Sequence, residues 1–130
     1  MDFDGSVNRL GAGARVWIHN MENNHSEGHA FRLNFKCTNN MAEYEALILG
    51  LQMVRKLGAK SVSVMGESEL IIKQIKGEYS MNNPRLSQYR ETVLDLIKDL
   101  LDSDFAAIPR KQNMQAHNLD TFASTYKLPF

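Results

Sequence analysis

Residues 30–58, AFRLNFKCTNNMAEYEALILGLQMVRKLG, change hydrophobic period part-way along. Up to Cys37 the alternation is strict. Phe31, Leu33, Phe35 and Cys37 fall on one face and Arg32, Asn34 and Lys36 on the other, as in a half-buried antiparallel strand. From Asn40 onward Leu47, Leu51, Val54 and Leu57 recur at helical spacing. The TNN run offers an N-terminal cap and Gly58 a C′ position, so a helix of about 18 residues is expected.

Upstream of this switch, MDFD and ARVWIHN read as two further strands, with the last strand over AFRLNFKC. GSVNRLGAGA and NMENNHSEGH carry the Gly and Asn chemistry of turns, so the three strands form a meander. Downstream, SVSVMG is a short buried strand, ESELIIKQIKGEY a second helix and PRLSQYRETVLDLIKDLL a third. Pro84 suits the start of that third helix, whose apolar stripe is Leu86, Tyr89, Val93, Leu96 or Ile97, and Leu100. DFAAIPR is the fifth strand, and Asn113 caps a last helix carrying Ala116, Leu119, Phe122 and Ala123. The order βββαβααβα implies an α/β fold, a mixed five-stranded sheet with helices packed against its faces.

The chain has 130 residues, 43% hydrophobic and 23% charged, which suits one globular domain with a real core and its ordered part over about residues 1–126. Fifteen basic and fifteen acidic side chains cancel, so any grip on a polyanion must be local. The lone Cys37 cannot form an internal disulfide, and it reads as a core-facing residue. With neither a signal-peptide core nor a membrane-length apolar run, an intracellular protein of cytoplasm or nucleus is expected. Only three residues precede Asp4, short for a first strand, so the chain reads as a piece of a longer protein.

Four positions fall where strand ends and helix starts meet: Asp4 in DGS, Glu43 in the first turn of TNNMAEYEAL, Glu67 in MGESEL, and His117 in the last helix. Carboxylates converging at strand ends hold hard cations through oxygen, and a pair of such ions activates water and stabilises a leaving phosphate oxygen. Each position also has an ordinary role: a turn Asp, two acids at helix N-termini, a solvated helix histidine. Their joint order carries the argument.

That order resembles a type I ribonuclease H domain, nearest the branch of plant retrotransposon-like and reverse-transcriptase-like proteins. The likeness runs through DGSVNRLGAGARVWI, FKCTNNMAEYEALILGLQMVRKLGA, VMGESELIIKQIKGEY and IPRKQNMQAHNLDTFAS, nearly the whole chain. It implies metal-dependent hydrolysis of the RNA strand of an RNA/DNA hybrid, leaving a 3′ hydroxyl and a 5′ phosphate, with two Mg2+ or Mn2+ ions as cofactors. By the same resemblance Asp4 touches both ions, Glu43 holds one near the scissile phosphate, and Glu67 and His117 stand where the family has Asp. Asp-to-Glu keeps charge and oxygen donors but adds a methylene, a strain for the near-octahedral site of magnesium. Histidine at the fourth position removes a charge and offers nitrogen, which suits manganese or zinc better, and it can shuttle a proton near neutral pH. Asp120 is a helix neighbour of His117 but lies about 4.5 Å further along the axis, too far to replace it.

For substrate, the resemblance puts Asn40, with Asn39 as a weaker candidate, beside the minor groove where 2′ hydroxyls mark RNA. The backbone of Gly5 and Ser6 is expected to approach the RNA strand. Arg110 and Lys111, with Lys73, Lys76 and Arg85, are candidates for phosphates, against simple solvation for at least half of them. The basic insertion that some relatives carry between the second and third helices is replaced here by the short GEYSMNNP, so hybrid affinity is expected to be modest and salt-sensitive. His25 and His29 sit in a Gly/Asn-rich stretch read as a turn, without companion ligands for zinc. Trp17, Tyr44, Tyr79 and Tyr89 read as packing residues rather than a base-stacking platform. Three functions follow: a hybrid-cleaving ribonuclease, a ribonuclease redirected to double-stranded RNA, or a catalytically silent retroelement-derived domain that binds nucleic acid or a protein.

Overall fold

The structure, a computed structural model, describes residues 1–109. In chain order the elements are β1 (Asp2–Asn8), β2 (Gly11–Asn20), β3 (His25–Leu33), α1 (Asn39–Lys56), β4 (Ser61–Gly66), α2 (Glu69–Ile75), α3 (Pro84–Ile97) and β5 (Asp102–Ala107). The expected last helix, with His117 and Asp120, lies outside the described residues, as do Arg110 and Lys111. The expected mixed five-stranded sheet is present, in the order β3-β2-β1-β4-β5. The meander is antiparallel, and β4 and β5 add to β1 in parallel.

Several strand boundaries differ from the sequence expectation, those of β1 and β3 most. β1 does not stop at Asp4 but continues to Asn8, and the hairpin turns on Arg9 and Leu10 alone. Asn8 Oδ1 accepts from the Leu10 N–H at 2.8 Å and so caps this turn itself. β3 begins at His25, inside the stretch read as a turn, and ends at Leu33. Its end is set by its neighbour: Leu33 pairs with Ala12, at the start of β2, so residues 34–37 have no strand to bond. Phe35, expected on the buried face, is exposed as a result.

The helices follow their caps. Thr38 Oγ1 accepts from the Met41 N–H at 3.2 Å and opens α1, while Gly58, at φ +76°, releases the chain from it. Leu57, expected on the apolar face, instead forms the C-cap and is exposed. Ser68 Oγ caps α2, which is shorter than expected, and Asn83 Oδ1 accepts from two N–H groups at the start of α3, ahead of Pro84. α1 lies on the sheet face formed by Phe3, Ala14 and Val16, with α3 packed against it. Phe3, Val16, Tyr44, Leu47, Ile71 and Val93 are completely buried there. Among the described residues no helix is long and apolar enough to cross a membrane.

Two hydroxyls lock α1 to its neighbours. Tyr44 donates to Gln74 Oε1 of α2 at 2.8 Å, and Tyr89 of α3 donates to Glu45 Oε1 at 2.7 Å. The two rings stack at 5.5 Å, so these tyrosines are packing residues, as expected. Cys37 is half-buried against the core, and burial together with Glu45 raises its thiol pKa.

Candidate active site

β4 leaves its parallel ladder with β1 at the pair Phe3–Gly66. Asp4 and Glu67 are the next residues on the two chains, so parallel pairing brings both to the C-terminal edge of adjacent strands. That edge is where open α/β sheets place their ligands. The same ending leaves the Gly5 N–H without a strand partner, and Glu43 Oε1 accepts from it at 2.8 Å. Glu43 reaches this point because α1 crosses β1 at van der Waals distance. A Cβ on Gly5 would stand 2.2 Å from the carbonyl carbon of Ala42, so only glycine admits the helix here. The glycine at position 5 thus serves the approach of α1.

The Glu43 carboxyl senses the other two. Burial pushes the Glu43 pKa up to about 8; the Gly5 N–H opposes the rise, while Asp4 and then Glu67 reinforce it. Glu43 Oε2 is buried and has no hydrogen-bond partner. A buried carboxylate oxygen left unbonded is costly unless it is protonated or meets a cation. Asp4 and Glu43 are buried and Glu67 is half-buried, following β4 as expected.

The donor set suits a hard divalent cation, since it consists of carboxylate oxygens, one of them orphaned. As it stands, however, no group of three His, Cys, Asp or Glu side chains among the described residues is arranged to hold an ion. Asp4 also meets a cation of the chain itself. Arg15, its cross-strand partner on β2, donates from Nη2 to Asp4 Oδ2 in a largely buried ion pair. Arg15 is not among the residues expected from sequence, because the Gly- and Asn-containing stretch that joins it to Asp4 carries the chemistry of a turn. The signal was there in a two-residue hairpin over NRLG, whose register places Asp4 opposite Arg15.

The substrate candidates divide. Asn39 is exposed and Asn40 half-buried in the first turn of α1, and Ser6 is half-buried in β1 beyond Gly5. Beside that first turn a groove of about 470 Å³ opens between α1 and α3, lined in part by Phe35, Lys36, Met41, Arg85 and Tyr89. Lys36, also missed, joins Arg85 there. Lys73 and Lys76 instead pair with Glu69 and Glu78, at 2.6 and 3.9 Å. His25 and His29, read as turn residues, lie on the edge strand β3, where both imidazoles face Glu27, at 3.6 and 3.4 Å.

Comparison with known proteins agrees with this architecture. A family profile described as "Reverse transcriptase-like" matches residues 2–123. Ribonuclease HI of Halobacterium salinarum is 33% identical over 84 residues, covering 65% of this chain and 42% of that protein. The uncharacterized protein YpeP of Bacillus subtilis is 31% identical over 130 residues, covering 90% of this chain and 54% of that one. The chain thus spans about half or less of these curated relatives. Among solved structures, RNase H1 from Halobacterium salinarum superposes with a TM-score of 0.78 at 27% identity, covering 91% of this chain and 90% of that one. LC11-RNase H1, obtained from compost by a metagenomic approach and solved with an RNA/DNA hybrid, gives 0.74 at 31% identity, covering 91% and 90%.

Proposed function

The chain belongs to the reverse transcriptase-like family of ribonuclease H-like domains, and from that membership we propose that it is a metal-dependent endoribonuclease cutting the RNA strand of RNA/DNA hybrids. The observation that carries this reading is the buried, unbonded Oε2 of Glu43, set beside Asp4 and Glu67 at the edge of β1 and β4. Asp4, Glu43 and Glu67 would hold Mg2+ or Mn2+. Two such ions supply activation of a water and neutralisation of the charge that develops on the phosphate. The Gly5 N–H orients Glu43 through Oε1 and leaves Oε2 for a ligand. Asn39 and Asn40 face the minor groove, where amide groups can bond 2′ hydroxyls and so select RNA. Lys36 and Arg85 meet phosphates along the groove beside α1. Within the family we assign the chain to the retrotransposon-type branch on its TNNMAEY and DGSVNRLGAGA motifs. The complex of LC11-RNase H1 with an RNA/DNA hybrid supports hybrid as the substrate.

A second reading, a catalytically silent nucleic-acid-binding domain, is favoured by one observation: Arg15 already engages Asp4. One assay separates them. Labelled hybrid, double-stranded RNA and single strands are incubated with the chain in Mg2+, Mn2+ or chelator. Hybrid is expected to be cut only with a divalent ion, and Glu43→Ala to lower the rate by more than about a hundredfold. Absent cleavage would leave the silent domain, metal-independent cleavage would overturn the two-ion reading, and preference for double-stranded RNA would redirect the substrate.

A further inference from the structure

We propose that Arg15 is a built-in counter-cation of the acidic site, occupying Asp4 while no divalent ion is bound and setting the affinity with which one loads. The inference rests on the site proposed above and extends it to a residue outside the carboxylate set.

The placement is fixed by backbone register rather than by a mobile surface side chain. Arg15 lies directly opposite Asp4 in the β1–β2 ladder, so both side chains leave the same face of the sheet. That face is opposite to the one α1 covers. The pair is shielded: the side chains of Arg15 and Asp4 are 18% and 10% exposed. A guanidinium in this setting is always charged and matches a carboxylate with hydrogen bonds that a hydrated surface pair lacks.

Charge accounting gives the arrangement its consequence. Asp4, Glu43 and Glu67 place up to three negative charges at one sheet edge, and Arg15 brings one positive charge to them. Arg15 holds Oδ2 of Asp4, so a divalent ion takes Asp4 through Oδ1 or shares Oδ2, and in either case it stands beside a fixed positive charge. That charge opposes loading. The ion-free site gains what the loaded site loses, since without Arg15 the carboxylates repel one another at short range. Arg15 therefore lowers ion affinity and stabilises the ion-free protein.

The test measures ion binding without nucleic acid. Mn2+ affinity of the full chain is determined by calorimetry for wild type, Arg15→Gln and Arg15→Lys, with circular dichroism to check folding. Arg15→Gln is expected to bind roughly tenfold more tightly, and to gain more thermal stability from saturating ion than wild type does. Arg15→Lys, which keeps the cation, should stay near wild type. Should the glutamine variant fail to fold, Mg2+ titration of the wild-type chain, followed at the Arg15 guanidinium NMR signals, decides instead. The signals should shift on loading as the ion comes to stand beside the guanidinium. Affinity unchanged or weakened in Arg15→Gln, or guanidinium signals indifferent to saturating Mg2+, would overturn the proposal. If the affinities separate as expected while neither hybrid nor double-stranded RNA is cut, the nuclease reading fails and the role of Arg15 stands.

Discussion

Glu43 carries the sharpest energetic signature in the site, because its folded pKa of about 8 stands well above the ordinary value of 4.5. The folded protein thus holds a proton that the unfolded chain releases across this window. The stability contributed by protonated Glu43 is fully present below about pH 4.5 and is lost as pH rises through about 8. Glu43→Gln keeps an oxygen for the Gly5 N–H but cannot ionise. The variant is expected to be more stable than wild type at pH 9, by roughly 2–5 kcal/mol, and to match it near pH 4. Urea unfolding at the two pH values checks the sign, and equal differences at both would exclude burial of an ionisable Glu43 as its source. At this scale the sequence was partly legible. Asp4, Glu43 and Glu67 stood out by type and order, whereas Arg15 and Lys36 did not. A basic side chain in a strand or loop looks the same whether it meets solvent or a buried carboxylate.

Elements were legible where local chemistry decides them. Thr38, Ser68 and Asn83 announce helix starts by offering side-chain oxygens to backbone N–H groups, and Gly58 announces an end by its left-handed conformation. Strand limits were less legible, because a strand ends where its neighbour does. The β3 boundary moved for that reason, and β1 ran through a Gly-containing stretch that looked like a turn. Gly5 is the informative case, since it stays in the strand and serves to admit α1 rather than to bend the chain. Gly5→Ala is expected to destabilise the fold by about 3 kcal/mol, since the clash is with helix backbone that has no rotamer to change. It should also disturb the alignment of Glu43, whose hydrogen bond originates on the same residue. Chemical denaturation measures the first effect. A stability within experimental error of wild type would mean that α1 can shift away from β1 at little cost.

At the scale of the molecule, zero net charge means that attraction to nucleic acid depends on where the charges lie. Lys36 and Arg85 line the same groove beside the first turn of α1. Each of Lys36→Ala and Arg85→Ala is therefore expected to weaken hybrid binding and to reduce the slope of log affinity against log salt by about one. Titrations at several salt concentrations measure that slope, and slopes equal to wild type would place the nucleic acid elsewhere. The order of the described elements, their helix caps and much of the apolar patterning could be read from the chain alone, because these depend on periodicity and on contacts within a few residues. Tertiary structure decided which groups meet. Parallel pairing of β1 with β4 brings Asp4 to Glu67 across more than 60 positions of chain, α1 delivers Glu43 over Gly5, and the hairpin register sets Arg15 on Asp4. Such meetings depend on strand register and helix docking, which bring together residues that carry no mark of each other in the chain.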